Sequence, residues 1–139
     1  MEVVRRRPDS RPGPAENFTG TAWIDPIVAT SETSRLRANS VHFTPGTRTA
    51  WHAHVNGQVL HVTEGTGRTR ARGGPVVEIR AGDTVVAGAG EWHWHGAAPH
   101  HFMTHIGMAD AGSGVGDTVW GEHVTDAEYT AEPLTDPVG

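Results

Sequence analysis

The chain is organised around one stretch, Ala50-Trp51-His52-Ala53-His54-Val55-Asn56-Gly57-Gln58. His52 and His54 are two residues apart, and on a β-strand such side chains point to the same face, where they can share one metal ion. Asn56-Gly57 is a strong signal for a two-residue hairpin turn, which would return Gln58 to the same centre. Without a turn, Gln58 would lie roughly 13 Å beyond His54 on a straight strand. Ordinary strand histidines can also have this spacing, so these nine residues alone leave metal binding open.

Composition narrows the class of protein. A length of 139 residues favours one domain with a sizeable core. The net charge of −5 argues against a nucleic-acid partner, and no apolar run approaches the roughly 20 residues of a membrane-spanning helix. There is no cysteine, which excludes disulfides and thiolate ligands. We predict a cytoplasmic protein that contacts neither nucleic acid nor membrane.

Short alternating segments separated by Gly and Pro turn signals predict an all-β sandwich or barrel. The predicted strands are Phe18–Ile24, Arg37–Thr44, Thr49–His54, Gln58–Glu64, Arg68–Arg72, Val76–Arg80, Thr84–Ala87, Trp92–Gly96, His101–Met108 and Thr118–His123. One short C-terminal helix is expected, because Thr125 and Glu128 have the spacing of a capping box. Residues 1–17 are predicted to be an N-terminal arm that packs on a neighbouring subunit, residues 18–131 the domain, and residues 132–139 a flexible tail.

A second pair of histidines lies further along the chain. The chain contains ten histidines, and Gly90-Glu91-Trp92-His93-Trp94-His95-Gly96 repeats the spacing of the first pair. Histidine is the commonest metal ligand. If this segment is extended, it supplies a further nitrogen to the same centre from a separate strand.

Taken together, the two segments resemble the motifs of small single-domain cupins. The first motif, G-x5-H-x-H-x3,4-E-x6-G, is matched from Gly46 to Gly65, with Gln58 in place of the glutamate. The second, G-x5-P-x-G-x2-H-x3-N, is matched from Gly82 to Ala97, with Gly88 and Ala97 as departures. The resemblance implies a jelly-roll β-barrel and one divalent ion, such as Mn, Fe, Co, Zn or Ni. The implied metal ligands are His52, His54, Gln58 and His93.

A closer resemblance is to the cupin-type hydroxynitrile lyases of bacteria and their decarboxylase-like relatives. It rests on Thr49–His52, Gly57-Gln58, Gly90–Pro99, Met103–His105 and Glu122–Asp126. The resemblance implies a manganese ion in a His/His/Gln/His set and lyase or aldol-type chemistry, in which the metal activates a carbonyl or enolate oxygen. It also implies that His105 is the acid/base, and His95 shares the strand parity of His93 and is a further catalytic candidate. A glutamine of that group is Ala109 here, which weakens the argument for the cyanohydrin reaction itself.

Strand parity predicts a mainly apolar pocket that suits an aromatic or uncharged substrate. The predicted lining residues are Val41, Leu60, Val62, Met103 and Trp120. Three other functions remain open: an aromatic polyketide cyclase, a cupin dioxygenase, and a metal-dependent binding protein without turnover. A homodimer or homotetramer is expected, because cupins of this size commonly pair through edge strands.

Overall fold

The computed structural model describes residues 1–112 and 116–135, and within them the chain is all-β with one short helix. The strands are β1 Arg11–Pro12, β2 Phe18–Thr19, β3 Ala22–Val28, β4 Leu36–Phe43, β5 Arg48–Thr49, β6 His52–His54, β7 Gln58–Ala71, β8 Val77–Arg80, β9 Thr84–Ala87, β10 His93–Ala97, β11 Met103–Asp110 and β12 Thr118–Trp120. The helix α1 is Asp126–Thr130. This confirms the predicted fold class. The described part of the chain includes no helix with the length and apolar character needed to cross a membrane.

Two antiparallel sheets face each other. The first sheet has the order β1-β3-β4-β11-β7-β9. In the second sheet, β7 pairs with β8 and β10, β10 pairs with β5 and β6, and β2 and β12 complete the edges. Strand β7 belongs to both sheets, so it joins the two layers into the jelly-roll sandwich.

The 14-residue strand β7 corrects one prediction. Gly65 and Gly67 were expected to end a strand, yet β7 runs through both. Gly65 has a φ of 78°, and a Cβ there would collide with the carbonyl of Phe102. A Cβ on Gly67 would collide with the carbonyl of Gly96. These glycines therefore allow the strand to pass close to its neighbours where it crosses between the sheets.

The turn at Asn56-Gly57 corrects a second prediction. Gly57 has a φ of 85°, and its N–H donates to the carbonyl of His54 at 3.1 Å, so the turn exists. However, β6 and β7 are not paired: β6 lies between β10 and β12, whereas Gln58 begins β7 in the first sheet, opposite Ala87. The predicted hairpin is wrong because the turn carries the chain across the sandwich. Turn residues specify a local reversal but not which strands pair afterwards.

The strands near the two ends of the chain differ from the predicted ones. The expected strand Phe18–Ile24 is interrupted at Gly20, which has a φ of 94°. Strand β3 continues through Pro26, where the pairing with β4 shifts register. Within the predicted arm, Arg11–Pro12 pairs with β3. The expected tail includes Leu134, which bridges Val77, and residues 136–139 of that tail lie outside the described residues.

The buried apolar side chains form two clusters, one between the sheets and one on the outer face of the second sheet. Inside the sandwich lie Phe18, Ala22, Phe43, Val62, Ile79, Ala97 and Met103. Outside the second sheet, beneath α1, lie Trp51, Val76, Trp94, Val124 and Tyr129. The predicted capping box is present, since the Thr125 hydroxyl accepts from the Glu128 N–H and the Glu128 carboxylate accepts from the Thr125 N–H. With Trp94 directed outward, its neighbours His93 and His95 point inward.

Candidate metal centre

Five buried histidines from three strands converge inside the sandwich. They are His52 and His54 on β6, His93 and His95 on β10, and His105 on β11, each at most 5% exposed. His52 and His93 are register partners, which brings the two H-x-H pairs side by side with 4.4 Å between those two ring centroids. Adjacent strands therefore join histidines that are about forty residues apart in the chain.

Three of these rings form a compact set of donors. One ring nitrogen from each of His52, His93 and His95 lies within 4.8 Å of the others, and all three side chains are buried. Neutral imidazoles at this separation suit a first-row divalent metal ion.

The first histidine of each pair is oriented by a backbone carbonyl. His52 Nδ1 lies 2.9 Å from the carbonyl oxygen of Ala50, and His93 Nδ1 lies 2.9 Å from that of Glu91. A carbonyl oxygen can only accept, so Nδ1 carries the proton in both rings. In the neutral rings Nε2 then has a free lone pair, which is the form that binds a metal.

Gln58 brings an oxygen to the same place. Its Oε1 lies 3.0 Å from His93 Nε2. Because Nδ1 of His93 already donates to Glu91, the two facing atoms are both acceptors, and a cation between them would turn a repulsion into two bonds. Rotating the amide by 180° would instead present a donor to His93. With the amide oxygen facing His93 Nε2, the donor chemistry fits a bound cation at this point.

His54 has a different second contact. Its Nδ1 lies 3.1 Å from the hydroxyl of Thr118 and 3.6 Å from Asp117 Oδ2. Asp117 in turn accepts two hydrogen bonds of 2.7 Å from the Arg37 guanidinium. His54 Nε2 is buried and has no hydrogen-bond partner among the described residues.

His95 and His105 contact each other through their rings. His105 Nε2 and His95 Nδ1 are 2.9 Å apart, so one of them donates to the other. The outer nitrogens of the pair, His95 Nε2 and His105 Nδ1, are buried without a partner in the described part of the chain. Neutral rings in this arrangement always leave one outer nitrogen protonated and the other free.

Burial keeps these rings neutral. Desolvation, followed by the charge of His93, lowers the pKa of His52 to about 3. Desolvation lowers the pKa of His105 to about 4. Burial also lowers the pKa of His54, His93 and His95, with His105 the next contributor for His95. Every ring is therefore a potential lone-pair donor at neutral pH.

A cavity of about 260 Å³ opens onto this cluster. It is lined by Arg11, Phe18, Arg37, Asn39, Val41, Phe43, Thr49, His52, His54, Gln58, His95, His105, Gly107, Met108, Ala109, Thr118 and Trp120. Two of the predicted pocket residues, Val41 and Trp120, are in its wall. Trp120 covers His52 with 4.7 Å between ring centroids.

The other predicted pocket residues do not line this cavity. Leu60, Val62 and Met103 are fully buried, and the last two belong to the apolar cluster inside the sandwich. Parity places a side chain inside the sandwich but does not say at which end of the strand the cavity lies.

Sequence reasoning missed several residues of the site. Arg37 and Asn39 share the parity of Val41 on β4, so the alternation could have identified them. Asp117 stands in a Gly-rich loop and has no local signal. Only pairing of β12 with β6 brings Asp117 and Thr118 to His54.

Comparison with known proteins identifies the fold family. A family model described as the cupin domain matches residues 39–103. A cupin-like protein from Thermotoga maritima has a TM-score of 0.80 and 36% identity, covering 92% of this chain and 95% of that one. The chain belongs to the cupin family. Its buried three-histidine cluster is typical of cupin metal sites.

This cupin also has a relative with a named activity. It is 48% identical over 117 residues to (R)-mandelonitrile lyase of Granulicella tundricola, covering 84% of this chain and 88% of the relative. The polyketide cyclase RemF from Streptomyces resistomycificus has a TM-score of 0.71 at 16% identity, over 93% of this chain and 91% of that one. The second likeness concerns the fold alone.

Proposed function

We propose that this cupin is a metal-dependent hydroxynitrile lyase. It would cleave a cyanohydrin into a carbonyl compound and hydrogen cyanide, and catalyse the reverse addition. The observation that carries the proposal is the 48% identity to (R)-mandelonitrile lyase over most of both chains. The histidine cluster at the base of a cavity supports it, because the reaction needs both an activated oxygen and a mobile proton.

The proposed ligands are His52, His54, Gln58 and His93. The bond from Nδ1 of His52 and of His93 to a carbonyl leaves Nε2 of each ring free, and the oxygen of Gln58 faces His93 Nε2. A bound divalent ion such as Mn, Fe, Zn or Ni would act as a Lewis acid toward the substrate oxygen. With Gln58 in place of a carboxylate, all four ligands are neutral.

The proposed proton carriers are His95 and His105. Cleavage removes the hydroxyl proton, forms the carbonyl, and breaks the bond to cyanide, which leaves with the electron pair and takes up a proton. In one tautomer of the pair, His105 Nδ1 is free to accept while His95 Nε2 carries a hydrogen, and in the other these roles are reversed. The hydrogen-bonded pair thus offers an acceptor and a donor at the same time, as the reaction requires.

The cavity supports a small substrate. About 260 Å³ lies below the roughly 300–1,000 Å³ of pockets that hold drug-sized ligands. Val41, Phe43 and Trp120 give it an apolar and aromatic wall. A single-ring cyanohydrin suits this volume better than the multi-ring product of a polyketide cyclase.

We also propose that the protein is cytoplasmic and forms a homodimer or homotetramer. Size-exclusion chromatography with light scattering measures the oligomeric state.

The test combines metal analysis with a panel of substrates. The purified protein is assayed for bound metals and then incubated with mandelonitrile and other cyanohydrins, a β-keto acid and an aromatic polyketide mimic. We expect benzaldehyde to form from mandelonitrile, to stop after chelation, and to resume when a divalent ion is restored. Metal-loaded protein that leaves every cyanohydrin intact would refute the lyase proposal, and oxygen uptake would favour a dioxygenase.

A further inference from the structure

A charged pair stands behind one wall of the site. Arg37 on β4 and Asp117 before β12 form two parallel hydrogen bonds of 2.7 Å, a geometry that holds both side chains in place. The Asp117 side chain is only 8% exposed. The paired guanidinium therefore fixes a carboxylate beside the histidine cluster.

We infer that Asp117 is a positioning residue that selects the metal-binding tautomer of His54. His54 Nδ1 contacts the Thr118 hydroxyl at 3.1 Å, and Asp117 Oδ2 lies 3.6 Å from the same nitrogen. A hydroxyl can donate or accept, so Thr118 alone leaves the tautomer undecided. A carboxylate favours a hydrogen on the facing nitrogen. Asp117 therefore keeps the proton on Nδ1 and leaves Nε2 free for the site.

Two other histidines of the cluster show why His54 needs this arrangement. His52 is oriented by the carbonyl of Ala50, two residues before it, and His93 uses the carbonyl of Glu91 in the same way. His54 has no such bond to a carbonyl among the described residues. Its tautomer depends on groups brought from β12 and β4, which are distant in the chain.

Arg37 has two roles in this arrangement. Its guanidinium holds Asp117 and also lines the cavity. It therefore connects the cavity wall on the first sheet, through Asp117, to His54 on the second sheet. Among ligands that are all neutral, Asp117 places a negative charge behind one of them, and Arg37 limits the charge that reaches the cavity.

The test compares two aspartates that differ in location. Asp117→Asn keeps the size of the side chain and removes its charge. The control is Asp110→Asn, because Asp110 also pairs with an arginine, Arg35 at 2.9 Å, but its side chain is partly exposed and its polar contacts in the described part of the chain include no histidine. Affinity for Zn²⁺ and Mn²⁺ is measured by competition with a chromophoric chelator. We expect Asp117→Asn to weaken binding by about 10–100-fold and Asp110→Asn to stay within about twofold of the wild type.

A second measurement does not need the metal. Long-range ¹H–¹⁵N correlation spectra of the metal-free protein report which nitrogen of His54 carries the hydrogen, with His54→Gln used for assignment. We expect a hydrogen on Nδ1 in the wild type and a mixture of tautomers in Asp117→Asn. An unchanged spectrum together with unchanged affinity would overturn the inference.

Two arms keep the result interpretable. If Asp117→Asn does not fold, Arg37→Lys is used instead, because it retains the positive charge but loses the paired hydrogen bonds. It should show smaller changes of the same kind in metal affinity and in the His54 tautomer. Unchanged spectra and affinity in that variant would likewise overturn the inference. The inference rests on the proposed metal site: a wild type that binds no metal would refute that site, whereas a wild type and Asp117→Asn with equal affinity and the same His54 tautomer would refute only the role of Asp117.

Discussion

The two histidine pairs, His52/His54 and His93/His95, have the same spacing and lie on paired strands. They differ in the contacts of the second histidine of each pair. His52 and His93 are equivalent, since each donates Nδ1–H to a carbonyl two residues earlier. His54 instead contacts Thr118 with Asp117 behind it, whereas His95 contacts the ring of His105. A carboxylate favours one tautomer, but a second imidazole allows either.

This difference separates two kinds of chemistry. A ring with a single favoured tautomer keeps a lone pair in one direction, which suits a metal ligand. A ring that can exchange a proton with its neighbour suits proton transfer. Under the proposed roles, the repeated H-x-H spacing would support two functions in one site, according to the group that contacts Nδ1.

The strongest way to break this comparison is to remove each second histidine. We expect His54→Ala to lose the metal and to reduce kcat/KM by at least ~10³-fold, since a Lewis acid supplies several kcal/mol at the transition state. His95→Ala should keep the metal content of the wild type and lose activity. The measurement is metal stoichiometry together with initial rates at saturating metal. The opposite result, with metal lost only in His95→Ala, would make the ligand set His52, His93 and His95.

The partner of His95 gives the next effect. We expect His105→Ala to retain the metal and to lower kcat by roughly 10²-fold or more, because the proton carrier is lost. His105 is fully buried, so His105→Gln, which fills more of the space, serves as the matched variant. Thermal unfolding of both variants checks that they are folded. Full activity in either folded variant would remove His105 from the mechanism.

A smaller change tests the neutral ligand. Gln58→Glu adds a negative charge to the site while keeping its length. We expect metal to bind ~10-fold more tightly and kcat to fall ~10-fold, because the added charge weakens the Lewis acid. Metal titration and steady-state rates measure both quantities. If metal preference and activity are both unaffected, Gln58 does not tune the site.

The smallest effect is on stability. Burial lowers the pKa of His52 to about 3 and of His105 to about 4, from an ordinary value of 6.5. Below pH 6.5 the unfolded chain binds protons that the folded chain excludes, so the free energy of unfolding decreases as pH falls toward 4. Each ring contributes up to about 1.4 kcal/mol per pH unit. Urea unfolding of metal-free protein from pH 7 to pH 4.5 gives the free energy of unfolding as a function of pH. The slope of this dependence should be shallower in His105→Gln than in the wild type.

A control variant separates the effect of a buried histidine from the effect that low pH has on any histidine. His101→Asn replaces an exposed histidine in the loop before β11 and should keep the slope of the wild type. If His105→Gln and the wild type have equal slopes, the His105 ring of the wild type is solvated in the folded protein.

Local sequence predicted part of the fold well. The alternation around Leu36–Phe43 and Thr84–Ala87 identified strands, and Thr125 with Glu128 identified the start of the helix. The same local reasoning failed at Asn56-Gly57 and at Gly65. In both places the chain crosses from one sheet to the other, and the outcome depends on which distant strands provide hydrogen-bond partners.

The candidate site was predicted to a similar extent. Spacing and parity predicted that His52 and His54 share a face, as do His93 and His95, and all four side chains are buried in the histidine cluster. Parity could not separate Val41, which lines the cavity, from Val62, which lies in the apolar cluster. Depth along the sandwich depends on packing between the sheets, and no local pattern records it.

The sequence by itself determined that this is a histidine-rich, all-β cupin, because period-two alternation, turn residues and the two motifs are local properties of the chain. Only the tertiary structure decided what each histidine can do. The role of a ring depends on the group that contacts Nδ1, and for His54 and His95 that group comes from another strand. Asp117 reaches His54 through the pairing of β12 with β6, and His105 reaches His95 across the sandwich. Those contacts arise from hydrogen bonding and packing between distant segments, which spacing along the chain does not encode.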